Sequence, residues 1–153
     1  MSTELMKKAE AIVNKSTMYA MGNILPDKTG WEADWVMALT DEQGFPSASM
    51  ITAAKADCFK WIAFCTYLDG NKSKRVKKDP RTFIYLFDNQ SFTGISLIGT
   101  TEIITDAELK KQMWYDTLGD HFSGPDDDKL CVLMFKPQRY NIFIGYQTLQ
   151  GAF

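Results

Sequence analysis

Apolar positions first recur along this chain with helical spacing. Leu5, Met6, Ala9, Ile12 and Val13 fall on one stripe, which predicts an amphipathic helix ending near Lys15. The stretch NILPDKTGWEAD carries Pro26 and Gly30 and reads as loop. Beyond it the pattern shortens to that of strands. DWVMALT (34–40) runs into the turn DEQGFP, SASMITAA (47–54) into a short turn near KAD, and CFKWIAFCT (58–66) follows. The short connections predict an antiparallel meander.

GNKSKRVKK predicts a short helix, with Asn71 as its N-cap and Asp79-Pro80 as its stop. RTFIYLFD (81–88) is a nearly continuous apolar run and predicts a central strand. FTGISLIGTTEII (92–104) predicts another, with bulges or bends at Gly94 and Gly99. Thr105 and Glu108 have capping-box spacing and open a helix that places Leu109, Met113, Trp114 and Leu118 on one face and closes at Gly119. HFSGPDDDK reads as loop. LCVLMFKP and RYNIFIGY predict a final strand pair interrupted at Pro137. Six or so antiparallel strands with three short helices make the chain mainly β. A small closed or half-closed barrel is the natural way to remove the sheet edges. The 153 residues show no repeat, linker or low-complexity tract, so one domain over 1–153 is expected.

Composition narrows the class. The chain is 45% apolar and 24% charged, ordinary for a globular domain, and its net charge of −2 argues against a general polyanion binder such as a nucleic-acid protein. Cys58, Cys65 and Cys131 are odd in number and lack metal-ligand spacing, which fits a reducing, cytoplasmic setting. MSTELMKKAEAIVNKS has acid early and no long apolar core, so it does not read as a signal peptide. No apolar run is long enough to span a membrane.

Against that background FCTYLDGNKSKRVKKDP (64–80) stands out, with five basic side chains between Lys72 and Lys78. A phosphate monoester needs a hydroxyl, one or two cations and free backbone N–H groups. Thr66 offers the hydroxyl at a strand end. Lys72 lies in the first helical turn, where amides are unpaired and the dipole favours an anion. Lys55, at the turn into the strand that carries Thr66, is a candidate second cation. Lys74, Arg75, Lys77 and Lys78 read as a solvated face.

The order and spacing of these motifs resemble the pyridoxamine 5'-phosphate oxidase-like family of flavin-binding split barrels. The resemblance spans nearly the whole chain. The family pattern is a basic residue and a Lys five positions on, an aromatic-x-Thr, then a Ser-x-Lys before a helix that ends in Asn/Asp-Pro. Here it reads Met50, Lys55, FCT at 64–66, GNK at 70–72 and Asp79-Pro80. SLIGTTEII and HFSGPDDDK are similar to the family's next strand and the loop before its last strand. The resemblance implies a six-stranded antiparallel split barrel that pairs as a homodimer, with FMN at the interface. It implies that the flavin phosphate meets Thr66 and Lys72, with Cys65 and Asn71 beside them. Met50, Ile51 and Thr52 would run along the ring edge, Lys55 would approach the ring or phosphate, and Phe143 would come from the partner subunit.

Departures from the oxidase itself matter. Met50 replaces a basic residue, Gly70 replaces the Ser, Asn71 stands where Arg is common, and Gly94 where a Gln contacts FMN. The sequence ends at Phe153, where the true oxidase continues with Arg and His residues that hold pyridoxal phosphate. The resemblance therefore implies the shorter, general-stress-protein-like branch: a flavoprotein and oxidoreductase acting on an unknown small molecule. The alternative is a non-catalytic protein of the same fold that binds or senses a flavin, a deazaflavin or haem. Haem would need His121, the only histidine, which otherwise reads as a loop residue. Asp126, Asp127 and Asp128 read as a solvated acidic loop rather than a cation site. The four Trp read mostly as core. No Ser-His-Asp or Cys-His arrangement is credible, so any catalysis is the cofactor's.

Overall fold

The computed structural model describes residues 2–20 and 34–153. The loop expected from Asn23 onward, with Trp31, lies outside them. Helix α1 (Ser2–Lys15) buries Leu5, Ala9 and Val13, the predicted stripe. The strands β1 (Asp34–Thr40), β2 (Pro46–Ile51), β3 (Ala53–Asp57), β4 (Trp61–Tyr67), β5 (Arg81–Asp88), β6 (Thr93–Ile104) and β7 (Leu130–Ile144) form one antiparallel sheet. Its order is β2-β1-β5-β6-β7-β4-β3, and β8 (Gln147–Ala152) adds to β7. The two edges, β2 and β3, are consecutive in the chain and only Thr52 separates them. The sheet therefore curls until its edges are one bent run of backbone, which leaves little edge for another chain to pair with. Counted as one bent strand, β2 and β3 make with β1, β4, β5, β6 and β7 the six strands of the expected antiparallel split barrel, and β8 is a seventh added to β7.

The expected meander changes in one respect. SASMITAA is not one strand, because its first half pairs with β1 (Met50 opposite Val36) and its second with β4 (Ala53 opposite Phe64). A register shift between Ala53 and Lys55 supplies the extra bend.

Side-chain alternation then sorts two cores. Trp35, Met37, Phe64, Ile84, Leu86, Ile95, Leu97, Leu133 and Phe135 fill the barrel, with α1 closing over them. Ala63, Val132 and Met134 point the other way, under helix α3 (Ala107–Met113) and a 3₁₀ turn (Asp116–Asp120), against Met113, Tyr115, Leu118 and Phe122. Cys65 packs on this second core, and Cys131 in the first.

Several boundaries differ from the sequence reading. LCVLMFKP and RYNIFIGY are one strand, not an interrupted pair. The register passes from Ile98 opposite Arg139 to Gly99 opposite Pro137, so Gln138 is the extra residue of a bulge and Pro137 needs no ladder hydrogen bond there. Strand β8 was not anticipated, because QTLQGA has no apolar alternation and is mostly exposed. Asp106, not Thr105, caps α3, its carboxylate accepting from the Leu109 N–H at 3.0 Å. That helix stops at Met113, and Gly119 falls inside the 3₁₀ turn. Lys110 is 5% exposed, and its ammonium donates to the Asp127 carbonyl at 2.7 Å, tying α3 to the loop before β7.

Two outcomes follow from this packing. A Cβ on Gly99 would collide with the Lys136 carbonyl in the bulge, so Gly99→Ala should cost about 1–3 kcal/mol, read as a fall in Tm. Burial, and then the neighbouring Cys131 thiol, push the Cys65 thiol up to about 12. Iodoacetamide at roughly pH 8 should therefore label at most Cys58, since the thiolate is the reactive form. Rapid labelling of Cys65 in the folded protein would contradict this packing.

Candidate functional site

At one end of the barrel, β4 turns through Leu68–Gly70 into helix α2 (Asn71–Lys78). The turn is closed by the Gly70 N–H donating to the Tyr67 carbonyl at 3.2 Å. Thr66 lies opposite Cys131 on β7. The buried Ser73 hydroxyl reaches the Tyr67 carbonyl at 2.7 Å and the Cys131 sulfur at 3.4 Å. These contacts, with Val76 in the barrel core, fold the first turn of α2 back on the end of β4. Thr66 thus lies near the end of β4, and Asn71 and Lys72 stand on the first turn of α2 that follows it.

The helix start differs from the expected one. Asn71 is its first residue, and the cap position belongs to Gly70, which gives no side-chain hydrogen bond. The first-turn amides of α2 are thus left without a side-chain cap, in the orientation that attracts an anion. Lys72 is half-buried and forms no ion pair or hydrogen bond among the described residues. Burial first, and then the nearby Arg75 guanidinium, hold its ammonium below the ordinary lysine value. A hydroxyl, an uncapped helix start and an unpartnered cation on one turn fit a phosphate group.

Arg75 corrects the reading of α2 as a solvated face. Its guanidinium bonds Glu42 at 3.1 and 3.3 Å and the Ser47 hydroxyl at 3.3 Å, clamping α2 to the β1–β2 hairpin. The signal was absent locally, because Glu42 lies 33 residues away. Lys74, Lys77 and Lys78 are exposed, as expected.

The remaining candidates occupy neighbouring surfaces. Met50 is exposed on the outside of the barrel, while Ile51, opposite Trp35, packs inward, and Thr52 is the hinge between β2 and β3. Lys55 is exposed, its ammonium 5.3 Å from the centre of the Tyr19 ring, a cation–π contact. The Tyr19 hydroxyl donates to the Gln112 and Trp114 carbonyls, so Lys55 stands beside the end of α3. Cys65 faces that same side, where its thiol meets the Met113 carbonyl at 3.5 Å. Phe143 is not brought to Thr66 within one chain. It lies twelve residues along β7 from Cys131 (143 against 131), on a strand rising about 3.3 Å per residue.

His121 is exposed, its ring edge-on to Tyr67 at 6.2 Å. Asp127 is not merely solvated. Its carboxylate accepts from the Ser123 and Lys129 amides at 2.9 Å each, which holds it below the usual carboxylate range. No group of His, Cys, Asp or Glu among the described residues could hold a metal.

Sequence reasoning missed the outer face of β5. Phe83, Tyr85 and Phe87 alternate with the buried Thr82, Ile84 and Leu86, and their rings stack along the outside of the barrel at 6.3 and 5.6 Å. The period-2 aromatic row inside RTFIYLFD was the available signal.

Comparison with known proteins places this geometry. A protein related to general stress protein 26 of Bacillus subtilis, from Clostridium acetobutylicum, superposes with a TM-score of 0.70 at 24% identity, over 78% of this chain and 84% of that one. A pyridoxamine 5'-phosphate oxidase-related, FMN-binding protein from Nostoc punctiforme superposes with a TM-score of 0.64 at 11% identity, over 78% and 87%. A heme-binding protein from Mycobacterium smegmatis reaches 0.67 at 17% identity, over 94% of this chain and 57% of that one. These likenesses establish the fold. No curated protein matches the sequence. The family model described as pyridoxamine 5'-phosphate oxidase matches residues 35–143, which holds the barrel, the β4–α2 turn and Phe143. The chain belongs to the pyridoxamine 5'-phosphate oxidase family.

Proposed function

We propose that this protein binds FMN as a homodimer and works as an oxidoreductase on a small molecule. The observation that carries the reading is Lys72, a half-buried ammonium without a partner among the described residues, on the uncapped start of α2 beside Thr66. Thr66 and the α2 amides would orient the phosphate, and Lys72 would neutralise it. Met50, Ile51 and Thr52 would line the ring from the bent edge strand, with Lys55 at its margin. FMN, when bound, supplies hydride and electron transfer at its ring. The FMN-binding neighbour of the same fold supports this assignment.

The outer sheet face supports a second copy as partner. Met50, Tyr85, Ile98 and Phe143 each leave a third or more of their surface exposed there, and apolar side chains grouped on one exposed face suit an interaction surface. Two-fold packing would bury these side chains against their copies. It would also carry Phe143 of one copy toward the flavin of the other.

A haem reading has one favourable observation, the exposed His121 beside Tyr67, one residue from Thr66. The visible spectrum of purified protein separates the two. A flavin spectrum, or saturable quenching of added FMN, is expected. A Soret band lost in His121→Ala would instead assign haem, and a deazaflavin would show its own absorption.

Lys72→Ala should weaken FMN by roughly tenfold or more, since charge-assisted bonds to phosphate are the strong ones, measured by flavin fluorescence. Unchanged affinity would remove Lys72 from the site. Phe83→Asp should shift the protein toward monomer in light scattering. A dimer indifferent to that change would place the interface elsewhere.

A further inference from the structure

The β1–β2 hairpin presents a carboxylate to α2 from a turn built to hold it still. The Asp41 carboxylate accepts from the Gln43 and Phe45 amides at 3.0 and 2.9 Å, and Gly44 takes φ +85° to complete the turn. The backbone at Glu42, between them, is therefore fixed. Its two carboxylate oxygens accept from Arg75 Nε at 3.1 Å and Nη2 at 3.3 Å, and Nη1 donates to the Ser47 hydroxyl at 3.3 Å. All three guanidinium nitrogens are thus engaged by the hairpin. A lysine at position 75 could not reproduce this fork.

Without that contact Arg75 would belong to the phosphate site. It follows Lys72 by three residues, which puts both on one face of α2. Helical side chains lean toward the N-terminus, so the arginine points at the uncapped start of the helix. Its charge, after burial, is the second cause that holds the Lys72 ammonium below its ordinary value. The Glu42 side chain is 67% exposed and that of Arg75 21%. An ion pair with so open a carboxylate adds little to stability. What the contact does control is where the second cation beside Lys72 points.

We propose that Glu42 is a positioning residue that sets the strength of the phosphate site by holding Arg75 away from it. One cation then faces the anion where two otherwise would, and a phosphate monoester is held reversibly. The proposal rests on the reading that the start of α2 takes the FMN phosphate. Two cations at an uncapped helix start would grip a dianion harder, because each adds charge-assisted hydrogen bonds to the same oxygens.

FMN and riboflavin differ by the phosphate alone, so their affinities separate this role from a simple clamp. Both are titrated by flavin fluorescence into the wild-type protein, Glu42→Gln and the double variant Glu42→Gln/Arg75→Gln. Glu42→Gln should tighten FMN about threefold or more at low salt, raising the ratio of riboflavin to FMN dissociation constants by that factor. Most of the gain should vanish in about 0.5 M salt. The double variant should return the ratio to within about twofold of the wild type, since no guanidinium is left to release. Inorganic phosphate, followed through the Lys72 and Ser73 amide NMR shifts, is the flavin-independent ligand and should tighten in Glu42→Gln as FMN does. Circular dichroism checks that each variant folds. A ratio unchanged in Glu42→Gln overturns the proposal, because a structural clamp would move both flavins alike. A gain that survives in the double variant also overturns it, since loss of the carboxylate and not release of Arg75 would be the cause. Phosphate that tightens in Glu42→Gln while FMN binds neither protein leaves the role of Glu42 standing and removes the flavin reading. Binding of neither phosphate nor FMN removes both.

Discussion

β7 must bury both of its faces, and the rest of the molecule is arranged around that requirement. Cys131, Leu133 and Phe135 belong to the barrel core, while Leu130, Val132 and Met134 belong to the core under α3. A strand apolar on both sides cannot be left at an edge or against water. β4 and β6 pair along it, α1 closes over one face, and α3 with its 3₁₀ turn covers the other. At about 25 cal/mol per Å² of apolar surface removed from water, this two-sided burial helps offset the chain entropy of folding. It also fixes β4, which carries Thr66, against a strand that cannot shift register without exchanging the residues of its two cores.

The site follows from how the sheet closes. The edge strands are one bent run through Thr52, so Met50 points out beside Val36 while Ile51 turns in against Trp35. Closure draws the β2–β3 bend toward the end of β4, where the chain must then leave the barrel. It leaves through a tight turn into α2, and the Ser73 hydroxyl, bonded to the Tyr67 carbonyl, sets the direction of that exit. The candidate phosphate grip is thus a consequence of strand order, and its residues come from parts of the sequence that only barrel closure makes neighbours.

Local chemistry was legible in the sequence and distant partnerships were not. The stripe Leu5–Val13, the stop at Asp79-Pro80 and the bulge at Gly99 rest on short-range sterics and periodicity, and the structure contains them. Thr66 and Lys72 are joined by one turn, so their separation is set locally. Arg75 could not be told from its lysine neighbours, since its difference is Glu42, on another hairpin. Lys110 reads as an exposed helical lysine, yet the loop at Asp127 folds over it and supplies a carbonyl. SASMITAA alternates well enough for one strand, and nothing within it states that its two halves pair with different neighbours. The continuous apolar run of RTFIYLFD read only as a central strand. Its aromatic alternation held a second meaning, an outer row of rings that remains exposed.

The basic turn shows why one cation of five is set apart. Arg75 and Lys72 are three residues apart on α2 and repel, which helps hold the Lys72 ammonium below its ordinary value. Glu42 answers the arginine with a forked pair, and its carboxylate is itself held low by that bond. Lys72 receives no such answer among the described residues, and it carries the added cost of partial burial. Lys74, Lys77 and Lys78 avoid both costs by remaining in water. A dianion at the uncapped start of α2 would offset the desolvation of Lys72, its repulsion from Arg75 and the unpaired amides together. Glu42 cannot supply that charge, because it is committed to Arg75. The protein is slightly acidic as a whole, so the positive field at this turn is local and short-ranged. It favours a small anion seated against Thr66 over a polyanion laid along the helix.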